Sequence, residues 1–285
     1  MKNQSTNAIN GVLVINKPEG MTSFDVIAKL RKKYHQKKFG HTGTLDPMAS
    51  GVLVVLAGGA TKILPYLPDT NKRYIASIAL GANYDTDDIT GTIVEQKPIH
   101  RDFDFEDVLQ SFQGHQHQKV PKASAKKVNG QKLYERLRKE QEVPDVYNDI
   151  EIYDIHALDE EELSFEVACS SGTYIRSICR DFGEKTGNAA AMKSLVRIQA
   201  CGFDLEQAQD LEAPIHTVYS IDQLLDYPKI QAAHPLDIRN GKAVKLEGQK
   251  ADRVLMMEGQ NVLAVYSRQK PGSPWYSCTR GLWYD

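Results

Sequence analysis

Two continuous apolar runs of strand length, within "GVLVINK" (Gly11 to Lys17) and "SGVLVVLAG" (Ser50 to Gly58), do most to limit what this chain can fold into. An unbroken apolar run bounded by turn residues reads as a buried strand, not as the half-exposed strand of an alternating pattern. Between the two runs lie a turn at Lys17-Pro18-Glu19-Gly20 and a helix capped by Thr22 or Ser23, with Phe24, Ile27 and Leu30 as its apolar residues. The connection ends in "KKFGHTGTLDPMAS", crowded with glycines and hydroxyls and holding a single carboxylate, Asp46, fixed by Pro47.

Further along, "ATKILPYL" reads as a short helix broken near Pro65 and "KRYIASIALG" as a strand ended by Gly81. "ANYDTDDITGTIVE" is a turn leading into a strand, and "DFEDVLQSFQG" has the helical period with Gly114 as its stop. "HQHQKVPKASAKKVNGQKLYERLRKE" is a loop running into a basic helix. "NDIEIYDIHALD" and "ELSFEVACS" form a strand pair, and "SGTYIRSICRDFGEKTG" gives a helix from about Thr173 that stops at Gly183 or Gly187. "NAAAMKSLVRIQACGFDL" reads as a helix then a strand, and "PIHTVYSIDQLLDYPKI" as a helix ending at Pro228.

Beyond that point short strands alternate with N-G, E-G and P-G turns, the pattern of a small β module. Strands and helices mix without a strict βαβ rhythm, so the expected class is α+β with a mixed sheet. The expected division is a unit over 1–230, carrying a basic insertion at about 115–145, and a β-rich unit over 231–285. At 285 residues the chain has room for one large and one small core.

Charge is segregated although the net value is only −2. Residues 1–75 carry about +7, residues 119–140 about +6, and residues 141–166 about −10 with no Lys or Arg. The basic blocks suit a positive face for a polyanion, or a solvated surface. No run approaches the roughly 20 apolar residues of a membrane span, and "MKNQSTNAIN" lacks a leader's apolar core, so a cytoplasmic location is expected. Cys169, Cys179, Cys201 and Cys278 are scattered singly and read as reduced thiols, neither zinc ligands nor a redox pair.

The chain has no G-x-G-x-x-G opening a βαβ unit, no G-x-x-x-x-G-K-[ST] and no H-E-x-x-H, so neither a nucleotide cofactor nor a metal is expected. "DTDDITG" (Asp85 to Gly91) begins like a calcium loop, but its glycine is misplaced and no Glu closes it, which leaves an acidic turn. Around Asp46, Gly40, Gly43 and Gly51 permit close approach to a ligand, and Thr42, Thr44, Ser50 and His41 offer polar groups. Such a loop can cradle a nucleotide; on spacing alone, an Asp-Pro turn joining two elements accounts for it as well. In "CSSGTYIRSICRDFG", Tyr174 and Arg176 sit at a helix start, where an arginine can hold a carboxylate ionised or make a surface ion pair.

"GHTGTLDPMASGVLVVLAGGATK" closely resembles the signature of the bacterial B-type pseudouridine synthases, which isomerise uridine 55 in the T loop of tRNA. "NKPEGMTSFDV", "NKRYIASIALG" and "SGTYIRSICRDFG" are similar to three further motifs of that family, in the same order, and the likeness spans about Gly11 to Phe203. It implies a pseudouridine synthase catalytic domain followed by a small RNA-binding domain of PUA type, no cofactor, and a tRNA T stem-loop as partner, acted on by a monomer. It further implies Asp46 as the catalytic aspartate, Tyr74 as the ring stacked on the target base and a proton acceptor, and Arg176 as the partner of Asp46. Tyr174 and Leu195 would line the pocket, His41 would hold the flipped nucleotide, and Lys17 would position the loop. The basic insertion is similar to the family's thumb, with Pro121-Lys122-Ala123-Ser124-Ala125 where the family has a Pro-Pro pair. Trp275 and Trp283 are expected in the core of the small module. A non-catalytic RNA-binding protein, or a hydrolase releasing the base, are the readings the resemblance displaces.

Overall fold

The computed structural model describes residues 8–67 and 70–283. The first seven residues, part of the stretch from which the lack of a leader was read, lie outside the described residues, as do the last two of the closing segment. No helix among the described residues is long and apolar enough to cross a membrane.

The first apolar run is strand β1 (Gly11–Lys17), and helix α1 (Ser23–Lys33) follows it. Thr22 caps α1 in a capping box with Asp25, which satisfies two backbone donors that would otherwise lack partners. The buried face of α1 is Val26, Ile27 and Leu30, whereas Phe24 is 62% exposed under the Arg31 guanidinium. At 100° per residue Phe24 falls well to one side of the stripe centred on Ser23, Val26, Ile27 and Leu30, so of the three apolar residues read on this helix only Ile27 and Leu30 are buried. Strand β2 (Phe39–His41) pairs with β3 (Ser50–Ala57), and β3 pairs antiparallel with β1 along its whole length.

Strand β4 (Lys72–Leu80) leads through Gly81, at φ +102°, to a hairpin of β5 (Ala82–Tyr84) and β6 (Ile93–Gln96). Helix α2 (Phe105–Gln110) stops four residues before Gly114, which instead opens strand β7 (Gly114–Lys119) where a loop was expected. The insertion continues with a small hairpin, β8 (Lys127–Val128) and β9 (Gln131–Lys132), and helix α3 (Leu133–Arg138). Strands β10 (Tyr147–Asp159) and β11 (Ser164–Cys169) pair antiparallel as expected. Helix α4 (Ile175–Lys185) runs through Gly183 and ends before Gly187.

Residues 190–200 form one long strand, β12 (Ala190–Ala200), including the alanines read as helix. Pairing along β4 from Ala190↔Leu80 to Ala200↔Lys72 buries those alanines, and tertiary pairing overrides their helical propensity. Strands β13 (Phe203–Asp204) and β14 (Gln209–Asp210) follow. The helix expected from Pro214 to Pro228 reduces to a single turn at Ile221–Gln223, where Ile221, Leu224 and Leu225 join the apolar cluster of the main sheet.

The main sheet has ten strands in the order β14-β1-β3-β12-β4-β11-β10-β7, with β2 and β13 added at its side. It is mixed, since β12 runs parallel to β3 and antiparallel to β4. The expected α+β class is what the chain adopts. At the β3–β12 junction the backbones nearly touch: a Cβ on Gly51, at φ +103°, would lie 2.2 Å from the Arg197 carbonyl oxygen. Only glycine fits there.

After β15 (Lys229–Gln231) and the short helix α5 (Pro235–Arg239) come β16 (Val244–Lys245), β17 (Arg253–Glu258), β18 (Asn261–Arg268) and β19 (Trp275–Gly281). They form a second, five-stranded sheet. Leu255, Met257, Val265 and Leu282 share one apolar cluster with Val12, Val52 and Val54 of the main sheet. Lys62 Nζ donates to Gly281 O at 2.9 Å, and its cation lies 5.7 Å from the Trp283 ring centre. Trp283 packs partly on the small core, while Trp275 is 45% exposed and not a core residue. The strand β19 turns alternate residues outward, and Trp275 is on the outward set.

Candidate active site

The loop between β2 and β3 carries Asp46, and its flanks are tied to the first thirty residues. Ser23 Oγ accepts from Leu45 N at 2.8 Å and lies 3.2 Å from Leu45 O, while Gly20 N donates to Pro47 O at 2.8 Å. Lys17, wholly buried, donates from Nζ to Pro18 O at 2.8 Å, Met21 O at 2.6 Å and Pro47 O at 3.3 Å. Burial lowers its pKa to about 8, partly opposed by the Asp46 charge. The turn and helix cap thus fix Asp46 from below.

From above, Arg176 in the first turn of α4 meets the carboxylate. Arg176 Nη2 donates to Asp46 Oδ1 at 3.2 Å, and Nε lies 3.0 Å from Oδ2, out of line for a second hydrogen bond. Nη1 donates to Thr86 O at 2.7 Å and Ala123 O at 3.2 Å, and lies 3.6 Å from Asp88 Oδ2. Arg176 is 5% exposed, but the Asp46 side chain keeps about a third of its surface open. A buried cation aimed at a half-open carboxylate leaves the free side of that carboxylate for a ligand.

The walls are apolar and aromatic. Leu45, Tyr74 and Leu195 belong to the cluster that packs beneath α4, and Tyr174 caps that helix. Burial pushes the Tyr74 phenol up to about 12, so at neutral pH it is protonated. Burial likewise raises Tyr174. His41, at the end of β2, has its pKa lowered by burial and by the Arg197 charge, and its Nδ1 is buried without a partner. A neutral imidazole with an unmet ring nitrogen is a ready hydrogen-bonding group for a bound base. The structure thus brings Arg176 onto Asp46 and sets Lys17, Tyr74 and Tyr174 within reach of the Asp46 charge. Leu195 joins them through the apolar cluster with Leu45, and His41 only through the Arg197 charge.

Sequence reasoning passed over four residues of the same site. The acidic turn supplies Asp88, buried beside Arg176, and Asp87, whose Oδ2 accepts from Arg180 Nη1 at 2.8 Å. Arg180 also reaches Asp181 Oδ1 from Nε at 2.9 Å and Lys119 O from Nη2 at 3.3 Å. Arg176 and Arg180 stand four apart on one helix face, and that spacing was the available signal that the face needed two acids. The fourth is Arg197, two positions beyond Leu195 on β12 and so on the same side of the strand.

Cys169 and Cys179 are buried and their thiols are pushed up by burial, so both are inert. Among the described residues no group of three or more His, Cys, Asp or Glu is placed to hold a metal ion.

Comparison with known proteins agrees with this geometry. Residues 31–175 match the family described as "TruB family pseudouridylate synthase (N terminal domain)". The tRNA pseudouridine synthase B of Bacillus subtilis is 40% identical over 90% of this chain and 93% of its own length. That of Alkaliphilus oremlandii is 38% identical over 83% of each chain. Among solved structures, the "Crystal Structure of a Cbf5-Nop10-Gar1 Complex" contains a chain similar in fold at a TM-score of 0.67 and 23% identity, covering 96% of this chain and 85% of its own. The signature loop, the arginine that meets its aspartate and the relatives' near-complete coverage lead to one assignment: the chain belongs to the TruB family of pseudouridylate synthases.

Proposed function

We propose that the protein isomerises uridine 55 in the T loop of tRNA to pseudouridine, with Asp46 as the catalytic carboxylate. The observation that carries this reading is the Asp46–Arg176 pair, buried on the arginine side and open on the carboxylate side, with the Tyr74 and Tyr174 phenols close enough to feel the Asp46 charge. The reaction breaks the bond from ribose C1′ to N1, remakes it to C5, releases the C5 proton to water and places a proton on N1. An ionised carboxylate beside the glycosidic bond serves this by attack at C1′, by attack at C6, or by removing a sugar proton. Arg176 fixes the orientation of the Asp46 carboxylate and leaves its open side for the nucleotide.

The target base has to leave its stack, at a cost of a few kcal/mol. Stacking on Tyr74 and contacts from Tyr174, Leu195 and His41 offset that cost. Because Tyr74 is a phenol in the resting site, it accepts a proton only by handing its own on. Lys17 holds the loop through Pro47 O. The basic insertion at about 115–145 closes over the phosphate backbone, residues 1–230 form the catalytic unit, and residues 231–285 form a PUA-like RNA-binding unit. The enzyme acts in the cytoplasm as a monomer, one chain to each large, asymmetric tRNA.

The test is tritium release to water from a tRNA transcript labelled at C5 of uridine, beside one whose T-loop target is replaced by cytidine. Release from the first alone, with no free uracil, supports the reading. Free uracil would make the protein a hydrolase, and tight binding without release would make it an RNA-binding protein.

A further inference from the structure

We propose that Arg197 is a positioning residue of this reaction, its one buried guanidinium holding the Asp46 loop and the Tyr74 ring in a fixed relation. Arg197 is wholly buried on β12, where it faces Tyr74 of β4 on one side and Gly51 of β3 on the other. Nε donates to Val52 O at 2.7 Å, Nη2 to Gly43 O at 3.1 Å and Nη1 to Thr44 O at 3.4 Å. Arg197 pairs with Tyr74 across β12 and β4, and its charge acts on the Tyr74 phenol. One planar group thereby joins the first turn of the catalytic loop, the start of β3 and the aromatic wall.

Charge accounting points the same way. No carboxylate pairs with Arg197 among the described residues; its hydrogen-bond partners are three carbonyl oxygens. An interior cation without an anion is costly, and an apolar side chain of similar volume fills a core more cheaply. What an apolar residue cannot do is bridge Gly43, Thr44 and Val52 at once. The charge also acts on the cleft, since it contributes to lowering the pKa values of Lys17 and His41 and partly counters the rise at Tyr74.

Gly43 and Thr44 lie just before Asp46 in a loop rich in glycine, which has little stiffness of its own. Freed of the guanidinium, the loop shifts Asp46 relative to the base, and a misplacement of about 1 Å is enough to cost about 100-fold in rate. Ground-state contacts with the rest of the tRNA lie elsewhere and stay.

The inference rests on the isomerase reading, and the experiment separates the two. Arg197→Lys keeps a cation but loses the planar fork, and Arg197→Met keeps volume but loses the charge. For both, C5 tritium release under single turnover, tRNA affinity and thermal unfolding are measured well below each melting temperature. The expected result is a rate down about 100-fold in the lysine variant with affinity within about 3-fold of wild type. In the methionine variant, the His41 ring resonances should in addition titrate at a higher pH than in wild type. Absence of release by wild type overturns the function itself. Release by wild type with a near-normal rate in the lysine variant overturns the role of Arg197, as does a rate loss that vanishes once both are assayed fully folded. Should the methionine variant not fold, the lysine variant alone decides.

Discussion

In the cleft, Lys17, Arg176, Arg180 and Arg197 are each largely buried, and each donates to three different residues. In the insertion, Lys122 before the hairpin, Lys127 on it, Arg138 at the end of the six-residue helix and Lys139 just beyond it stand exposed. The same side-chain types therefore do two different things. A buried cation held by three residues has one geometry, and losing it is felt where that geometry matters, in turnover. An exposed cation has many geometries and contributes charge, which is felt in affinity and is screened by salt. Each prediction below tests this division, from the largest effect to the smallest.

The carboxylate that the buried cations serve should matter most. Asp46→Asn is nearly the same shape and still accepts a hydrogen bond from Arg176, but it is neither a nucleophile nor a useful base. Turnover should fall by at least about 10⁴-fold with tRNA affinity within about 3-fold. Residual tritium release above that level would move the chemistry to another group. Arg176→Lys comes next. It keeps the charge but cannot meet Asp46, Thr86 O and Ala123 O together, and breaking a buried pair costs about 3–5 kcal/mol. Single-turnover rates should drop about 10²- to 10³-fold, whereas affinity falling with an intact rate would put Arg176 among the tRNA-binding cations instead.

Tyr74→Phe removes a hydroxyl and leaves the ring. Stacking survives, so tRNA binding should be retained, while the rate falls by about 10–100-fold through loss of the proton path. An unchanged rate would reduce Tyr74 to a stacking surface.

The polar half of this division was the harder half to read from sequence. Strands β1 and β3, the caps of α1 and the order of motifs were legible because they are local: an apolar run, a Thr followed by Asp three residues on, a Gly after a strand. That Asp46 and Arg176 meet was legible only through the resemblance, since an Asp-Pro turn and a helix-start arginine each have ordinary explanations. Asp87 and Asp88 were read as a turn, because what makes them part of the site is α4, some ninety residues later in the chain. Arg197 reads as the polar member of a strand until Gly51 and the Gly43–Thr44 carbonyls are brought against it. The alanines of β12 read as helix for the same reason, that their partner strand is more than a hundred residues away.

Lys17 offers a test by pH. The ammonium has three N–H donors for Pro18 O, Met21 O and Pro47 O; the neutral amine has two. As pH rises through about 8 the side chain loses its proton and one carbonyl loses its partner, so turnover should decline several-fold with a midpoint near that pH. The effect on stability has the opposite sign. Between about 8 and the ordinary lysine value of 10.5 the unfolded chain holds a proton here that the folded chain has shed. Stability from this residue therefore rises with pH across that window. Rates measured with Lys17→Met should be flat where the wild type declines; a wild-type midpoint that persists in the variant would assign it to another group.

The smallest effect, and the sharpest contrast, belongs to the insertion. Lys122→Gln, Lys127→Gln and Lys139→Gln combined should weaken tRNA binding by several-fold at low salt and leave the single-turnover rate at saturating tRNA within about 2-fold. Each phosphate contact removed should flatten the plot of log affinity against log salt by about 0.7, the single-strand value, so the wild-type and triple-variant curves should converge as salt rises. The buried cations predict the reverse: Arg176→Lys and Arg197→Lys should keep the wild-type salt slope while losing rate. If the triple variant instead lost rate at saturating tRNA, the exposed cations would be acting on geometry as well. The path for that exists in the structure, because Ala123 O accepts from Arg176 and Lys119 O from Arg180, so both ends of the segment Lys119–Ala123 touch the arginines that face the acidic turn and Asp46. A rate loss would then mean that charge on the insertion pulls this segment, and through it the catalytic pair, into place on the tRNA.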